Sequence, residues 1–412
     1  MEHIEGTGGP KGGPGGGASF SALYIRDFRL FWAGQVISFS GTWMHVTAQG
    51  WLVYSLTKSP FYLGVVAAAS SLPIMLFSLL GGAVADRFRK RNLLLLTQGL
   101  SIIPALLIGV LTSMGTVTVW QVIGLGFFLG TVNAFDVPAR QSFLVEMVAE
   151  GNLLNAVALN SAAFNGARII GPVIAGLTIA NIGLAACFYL NALSFLAVIG
   201  ALSRVKARGE RRTGGGGLRK EIREGMSFIM REPEVRRPMM LVGIFSLFGL
   251  PFVSQLPVFA EEILEAGAEG LGFLMGASGV GALSAALILA VRKDIRDKRR
   301  LMSLSSLAFA AALLLFSLSR DYMLSMAALV VVGFAVVSFL AIANSSIQLR
   351  TPGAMRGRVM SVYTLVFLGL TPIGHSVVGT VADFTGSAHA VLMAAAVCLG
   401  ASLAIVMRGR KG

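Results

Sequence analysis

Charge is what this sequence has least of. Lys, Arg, Asp and Glu make up 13% of its 412 residues, where soluble domains carry about 25%. That shortage excludes an ordinary soluble protein, whose surface needs those charges. Acidic residues are the scarcer, 20 against 34 basic. Cysteine is nearly absent. Cys187 and Cys398 both lie in apolar runs, which excludes a disulfide framework and offers no metal-ligand spacing. The four histidines are scattered, so no metal or other cofactor is expected. No Gly-rich loop ends in Gly-Lys-Ser/Thr, which excludes a nucleotide-driven pump. No cleavable signal pattern is seen, and residues 1–20 read as a flexible Gly/Pro-rich tail.

What is present is apolar length. The chain is 55% hydrophobic with a mean hydropathy of +0.76. Runs that cross the ~30 Å hydrocarbon core as helix need roughly 20 residues. Twelve are read, at about 30–56, 61–84, 93–114, 117–138, 153–180, 184–203, 239–260, 270–291, 301–319, 322–349, 358–383 and 386–407. Trp32 and Trp51 lie about 28 Å apart on the first, a spacing suited to aromatic anchors at the two interfaces.

Basic residues orient these spans. With the N-terminus in the cytoplasm, inside segments hold Arg87, Arg89, Lys90 and Arg91, the run from Arg204 to Arg237, the run from Arg292 to Arg300, then Arg350, Arg356 and Arg358, and the C-terminal "RGRK". Outside segments hold only Lys58 and Arg320. This asymmetry is the positive-inside signature. It assigns the net charge of +14 to topology beside anionic lipid rather than to nucleic acid.

The chain also repeats itself. At a shift of 208, Leu63-Gly64 recurs as Leu271-Gly272, Ala69-Ser70 as Ala277-Ser278, Asp86 as Asp294, and Lys90-Arg91 as Lys298-Arg299. Later the shift is 203, and Gly166, Gly171, Gly176 and Gly183 fall on Gly369, Gly374, Gly379 and Gly386. The expected fold is therefore an all-α membrane protein of twelve transmembrane helices in two pseudo-symmetric six-helix bundles, 21–203 and 239–412, with both termini cytoplasmic. Between them, 204–238 is a basic cytoplasmic linker. Leu218, Ile222, Met226 and Ile229 share one face there and predict an amphipathic surface helix.

"GAVADRFRKRNLL", Gly82 to Leu94, resembles the loop signature of the major facilitator superfamily, with Gly82, Asp86, Arg87, Lys90 and Arg91 matching and Arg89 in place of a glycine. "ARIIGPVIAG" is similar to the span-five signature of that superfamily's antiporters through Gly171, Pro172 and Gly176, with Ala167 and Ala175 where glycines are usual. "NAFDVPARQSF" and "LNSAAFNGARIIGP" further resemble its drug and siderophore efflux branch, that of the bacterial enterobactin exporter. One departure is the absence of an arginine from the outer part of span four, "WQVIGLGFFLGTVNAF", which puts a standard proton-coupling route in doubt.

The resemblance implies a secondary transporter of the bacterial inner membrane, exporting small amphipathic molecules by alternating access, with a proton as candidate coupling ion and the monomer as working unit. An importer or uniporter is the alternative; a membrane enzyme or lipid-handling protein is a remote one. Asp86 is expected to latch the halves in one state, accepting from a helix N-terminus or pairing with an arginine such as Arg140, with Gly82 permitting close helix approach. The other reading is a solvated, positive-inside loop.

Gln35, Ser38, Thr42, His45 and Gln49 are spaced to share one face of span one, and are expected to line the substrate cavity. Asn133, Ser338, Ser345 and Gln348 are further candidates. The resemblance implies a cavity lined by spans one, four, seven and ten. Span five carries Ser161, Asn165 and Arg168; Arg168 corresponds to Thr371 at the 203 shift, and His375 follows one turn later. His45 and His375 are titratable groups at mid-depth. Arg168 stays charged and cannot carry the proton. It is read either as a working site or as a static pin between the halves. No carboxylate is expected at mid-span, with Asp136 placed near the cytoplasmic end of span four.

Overall fold

The computed structural model describes residues 21–205, 218–291 and 297–409, and among them there are helices and no strand. The first group comprises α1 (Arg26–Thr57), α2 (Pro60–Arg87), α3 (Lys90–Ser113), α4 (Val119–Met147), α5 (Leu153–Asn181) and α6 (Leu184–Arg204). A short helix, α7 (Leu218–Arg231), leads to the second group: α8 (Pro233–Ile263), α9 (Gly267–Val291), α10 (Lys298–Leu318), α11 (Tyr322–Arg350), α12 (Gly353–Thr385) and α13 (Ser387–Gly409). The tail 1–20 and much of the linker lie outside the described residues.

Eleven of these helices are long and apolar enough to cross a membrane. With the family reported below, they make the chain an integral multi-pass membrane protein. The exceptions are α7, with only 14 residues, and α1, whose 32 residues include many polar ones. They are not turned outward: Gln35, Ser38, His45, Thr47 and Gln49 are all buried. Helix ends follow local chemistry. Proline opens α2 and α8, where its missing N–H costs nothing. Thr118 and Gln121 form a reciprocal capping box on α4. Asp321 caps α11 by accepting from Leu324 N–H at 2.7 Å.

The helix α8 starts earlier than the sequence indicates, at Pro233, and is irregular. Two π turns, Phe245–Gly249 and Phe259–Ile263, flank a 3-10 stretch over Leu250–Gln255. Pro251 and Pro257 remove backbone donors inside it. Irregular backbone at membrane depth is tolerated where it lines a cavity or is covered by protein, and this segment does line one. The expected amphipathic helix is present as α7, but it docks on α12. Glu224 pairs with Arg358 at 2.6 Å, and Ile229 is buried in the second group's core, while Met226 is exposed. The side chains of Leu218 and Ile222 lie outside what is described. Trp32 and Trp51 are also drawn into protein contacts, Trp32 donating to the Leu159 carbonyl at 2.9 Å.

Helices of each group pack mainly on one another, and the groups meet chiefly where α2 crosses α12 and α5 crosses α9. These crossings are the same contact made twice. A methyl at Gly64 would lie 2.3 Å from the His375 carbonyl oxygen and 2.9 Å from Gly379 Cα; one at Gly272 would lie 2.5 Å from the Pro172 oxygen and 3.1 Å from Gly176 Cα. Gly272 is Gly64 at the 208 shift, and Pro172 and Gly176 are His375 and Gly379 at the 203 shift. The repeat read in the sequence is thus a repeat of backbone contacts, with glycine serving close helix approach.

Candidate functional site

Between the two crossings lies a cavity of about 330 Å³, walled by α1, α2, α8, α9 and α12. Its wall is mostly apolar, with Thr47, Gln49, Ser70, Ser254, Thr371 and His375 as the polar members and no charged residue. Gln49 Nε2, Ser70 Oγ and His375 Nδ1 make no hydrogen bond among the described residues. A buried polar atom left unpaired costs about 1–3 kcal/mol, but these atoms are sealed from the open space of the cavity: a methyl at Gly126 of α4 would lie 2.6 Å from Ser70 Oγ and 3.2 Å from Gln49 Nε2. Thr47 is already engaged, donating to the Trp43 carbonyl at 2.9 Å and lying 3.4 Å from Met275 Sδ.

The polar stripe of α1 does not act as one wall. Only Gln49 lines this cavity. Gln35 accepts from Arg140 Nη1 at 3.3 Å, on α4. Ser38 is buried, and Thr42 donates to its carbonyl at 2.9 Å. The ring of His45 sits edge-on to Phe188 of α6, centroids 5.1 Å apart, with neither nitrogen hydrogen-bonded among the described residues. A helical face is wider than one neighbour, so the stripe divides between α4, α6 and the cavity. Asn133 is half-buried, Ser338 is buried and Ser345 half-buried, and the exposed Gln348 bonds Asn344 on its own helix. None of the four borders the cavity. Ser70 and Thr47, missed as candidates, do; Ser70 was marked only by its recurrence as Ser278.

Arg168 lies beside the other crossing. Its Nη2 is 3.4 Å from Ser278 Oγ on α9, and its guanidinium lies 5.5 Å from the Trp43 ring centroid on α1. Pro172 deprives the Arg168 carbonyl of its helical donor. That oxygen faces the α9 backbone, where a methyl at Gly279 would come within 2.8 Å of it. Asn165 donates to the Ser161 carbonyl of its own helix at 2.8 Å. Gly171 packs on α1, where a methyl would be 2.6 Å from the Ser40 oxygen; Gly176 faces α9; Pro172 is buried.

Asp136 is the largest departure from the sequence reading. It is 2% exposed and accepts from Thr97 Oγ1 at 2.8 Å and Gln98 Nε2 at 2.9 Å, while Arg140 Nη2 lies 2.8 Å from its other oxygen. Arg140 also stacks over Phe39 at 4.8 Å. It is therefore committed to Asp136 and Gln35, and the expected Asp86–Arg140 pair is not made. Asp86 is half-buried and forms no hydrogen bond or ion pair among the described residues. A methyl at Gly82 would meet nothing within 4 Å, whereas one at Gly81 would strike the Ala134 carbonyl at 2.0 Å. Close approach here belongs to Gly81. Lys90 pairs with Glu146, and Arg91 donates to the Leu202 and Ser203 carbonyls at 2.7 and 3.0 Å, capping α6. Both basic residues work inside the first group. Arg87 is exposed.

Among the described residues, direct bonds between the groups run from mid-helix to one end only. Besides Thr47–Met275 and Arg168–Ser278, they are Tyr54 to Glu262, Lys58 to Glu261 at 3.5 Å and Ser59 to Asp383 at 2.7 Å.

Comparison with known proteins accords with this architecture. The family model described as transmembrane secretion effector matches residues 17–411. The chain is 26% identical to the multidrug efflux pump Tap of Mycolicibacterium fortuitum, over 86% of this chain and 88% of that one. It is 22% identical to the staphyloferrin A transporter of Staphylococcus aureus, over 69% and 72%. Among solved structures, a bacterial homologue of the human lysosomal transporter Spinster superposes with a TM-score of 0.74 at 10% identity, covering 96% of this chain and 98% of that one. The nucleoside transporter NupG gives 0.70 at 14%, covering 93% and 99%. The chain belongs to the transmembrane secretion effector family of the major facilitator superfamily, and is a secondary transporter rather than an enzyme.

Proposed function

We propose that this transporter exports small amphipathic molecules by alternating access, with twelve crossings in two six-helix halves, 21–203 and 239–412, and both termini in the cytoplasm of a bacterial cell. The observation that carries the reading is the one-ended closure. Among the described residues, bonds between the groups gather at the Lys58–Asp383 end, while Asp86 and Gly82 stand without partners at the other. The positive-inside rule makes the tied end the outer one. The cavity then opens inward, the state that loads an exported molecule. Its uncharged wall suits a guest with an apolar body and a hydrogen-bonding group. Efflux by the related Tap pump supports the direction.

Within this reading Gly82, Asp86 and Arg87 form the latch that engages when the cytoplasmic ends close. His375 is the titratable group on the cavity wall and the candidate for proton coupling, whereas His45 is sealed against Phe188. One chain supplies every wall of the cavity, so a monomer suffices.

Two experiments test the proposal. Asp86→Asn should accumulate in the membrane yet export poorly from loaded cells. Losing a charged hydrogen bond of about 1.5–3 kcal/mol shifts a balance of states roughly tenfold or more. Wild-type export by the variant would leave the loop a topology signal. For topology, Arg212→Cys should resist an impermeant maleimide in intact cells and react after permeabilisation. The native Cys187 and Cys398 are buried, which keeps the background low, and labelling in intact cells would overturn the orientation.

A further inference from the structure

The internal repeat provides its own control for a second binding site. In the first half, Lys90 is buried against Glu146, and Arg91 caps the end of α6. Beside Glu146, Phe143 is fully buried and packs edge-on to Phe31 at 5.6 Å. In the second half the cations recur as Lys298 and Arg299, at the shift of 208. The partner does not. At the 203 shift Glu146 becomes Leu349, and Phe143 becomes Ser346. The helices themselves keep register: α4 and α11 begin at 119 and 322 and end at 147 and 350, a difference of 203 at both ends.

The consequence is a pocket of about 120 Å³ where the first half has a filled core. Arg237, Lys298, Arg299 and Arg350 line it from α8, α10 and α11, together with Ser303 and Ser346. Among the described residues that line it, one carboxylate answers these four cations. Glu234 lies 3.6 Å from Arg350, leaving a net charge of four minus one, or +3. Arg237 and Lys298 are half-buried and make no hydrogen bond or ion pair among the described residues. Cations held together without counter-charge repel one another, so the arrangement favours an anion with several acceptor oxygens. Leu349 is 63% exposed at the rim, and Ile405 and Met302 extend the wall with apolar surface.

We propose that this pocket binds a phosphate group, and that the group is the headgroup of an anionic phospholipid whose chains lie along the apolar rim. Basic pockets between helices on the cytoplasmic side are suited to such headgroups. The site is separate from the transport cavity and does not depend on what is exported.

The test is native mass spectrometry of the purified protein with dioleoyl phosphatidylglycerol or dioleoyl phosphatidylcholine, alongside thermal unfolding with inorganic phosphate. Wild-type protein should retain phosphatidylglycerol in preference to phosphatidylcholine. Arg237→Gln with Lys298→Gln should lower its retention at least about tenfold. Leu349→Glu restores the carboxylate of the first half without removing a cation, and should lower retention comparably. Arg26→Gln with Arg29→Gln removes the same charge from exposed positions of the first half and should leave retention unchanged. Stabilisation by inorganic phosphate, lost in the same two pocket variants, with no preference between the lipids, would support the phosphate site and assign it to a free anion. Equal retention by wild type, the double variant and Leu349→Glu, with no phosphate stabilisation, would overturn the site. A loss as large in the Arg26/Arg29 variant would show only general charge attraction and would overturn it too.

Discussion

Asp136→Asn is expected to lower the unfolding midpoint of the detergent-purified protein sharply and to reduce its level in the membrane. The buried carboxylate takes three donors, from Thr97, Gln98 and Arg140. Asparagine keeps the shape, but only one of its two terminal atoms accepts. If its oxygen serves Thr97 and Gln98, its amide faces the guanidinium, donor against donor. Arg140 then retains one accepting partner, Gln35 Oε1 at 3.3 Å, and the face of Phe39. Removing one member of a buried pair costs about 3–5 kcal/mol because the other charge stays behind. The network joins α1, α3 and α4, so the loss would be felt across the first group. The converse sharpens the test. Adding Arg140→Gln removes the stranded charge, so the double variant should unfold at a higher temperature than Asp136→Asn alone. An unchanged midpoint in the single variant, or a still lower one in the double, would show that the pair does not hold these helices together.

The sequence made the fold legible because membrane helices are long, apolar and, here, repeated. The repeat shifts mark Gly64, Gly272, Gly176 and Gly379, and the same residues form the two crossings between groups. The sites were less legible, for physical reasons. A polar stripe reports which residues avoid lipid, not which neighbour they meet. Gln35 goes to Arg140, His45 to Phe188 and Gln49 to the cavity. Lys90 and Arg91 look like free loop cations until α4 and the end of α6 are seen beside them. Asp136 read as a helix-end residue, though Arg140 four positions on in "FDVPAR" signalled an intrahelical pair. Its burial depends on Thr97 and Gln98 arriving from α3, which no local pattern announces.

Arg168→Lys and Arg168→Gln are expected to insert and accumulate normally and to transport poorly. From α5 the guanidinium reaches α9 through one long bond to Ser278 and α1 through one ring contact with Trp43. Its own carbonyl lies against the α9 backbone at Gly279. A static pin at membrane depth would be held by several short bonds, since an underpaired charge there is costly. One bond at 3.4 Å and one cation–π contact can instead be exchanged as the helices slide. Lysine keeps the charge but loses the planar face that stacks on Trp43; glutamine keeps a donor and loses the charge. The ring contact contributes about 0.5–2 kcal/mol and the charged hydrogen bond about 1.5–3. Losing the ring contact shifts the balance between states by roughly 2- to 30-fold, and losing the charged bond by roughly 10- to 150-fold. Ser278→Ala removes the hydroxyl partner alone and should produce a smaller defect of the same kind, read as export rate at equal membrane level. Wild-type export by both arginine variants would end the working-site reading. Failure of both to accumulate would make Arg168 the structural pin of the α5–α9 crossing.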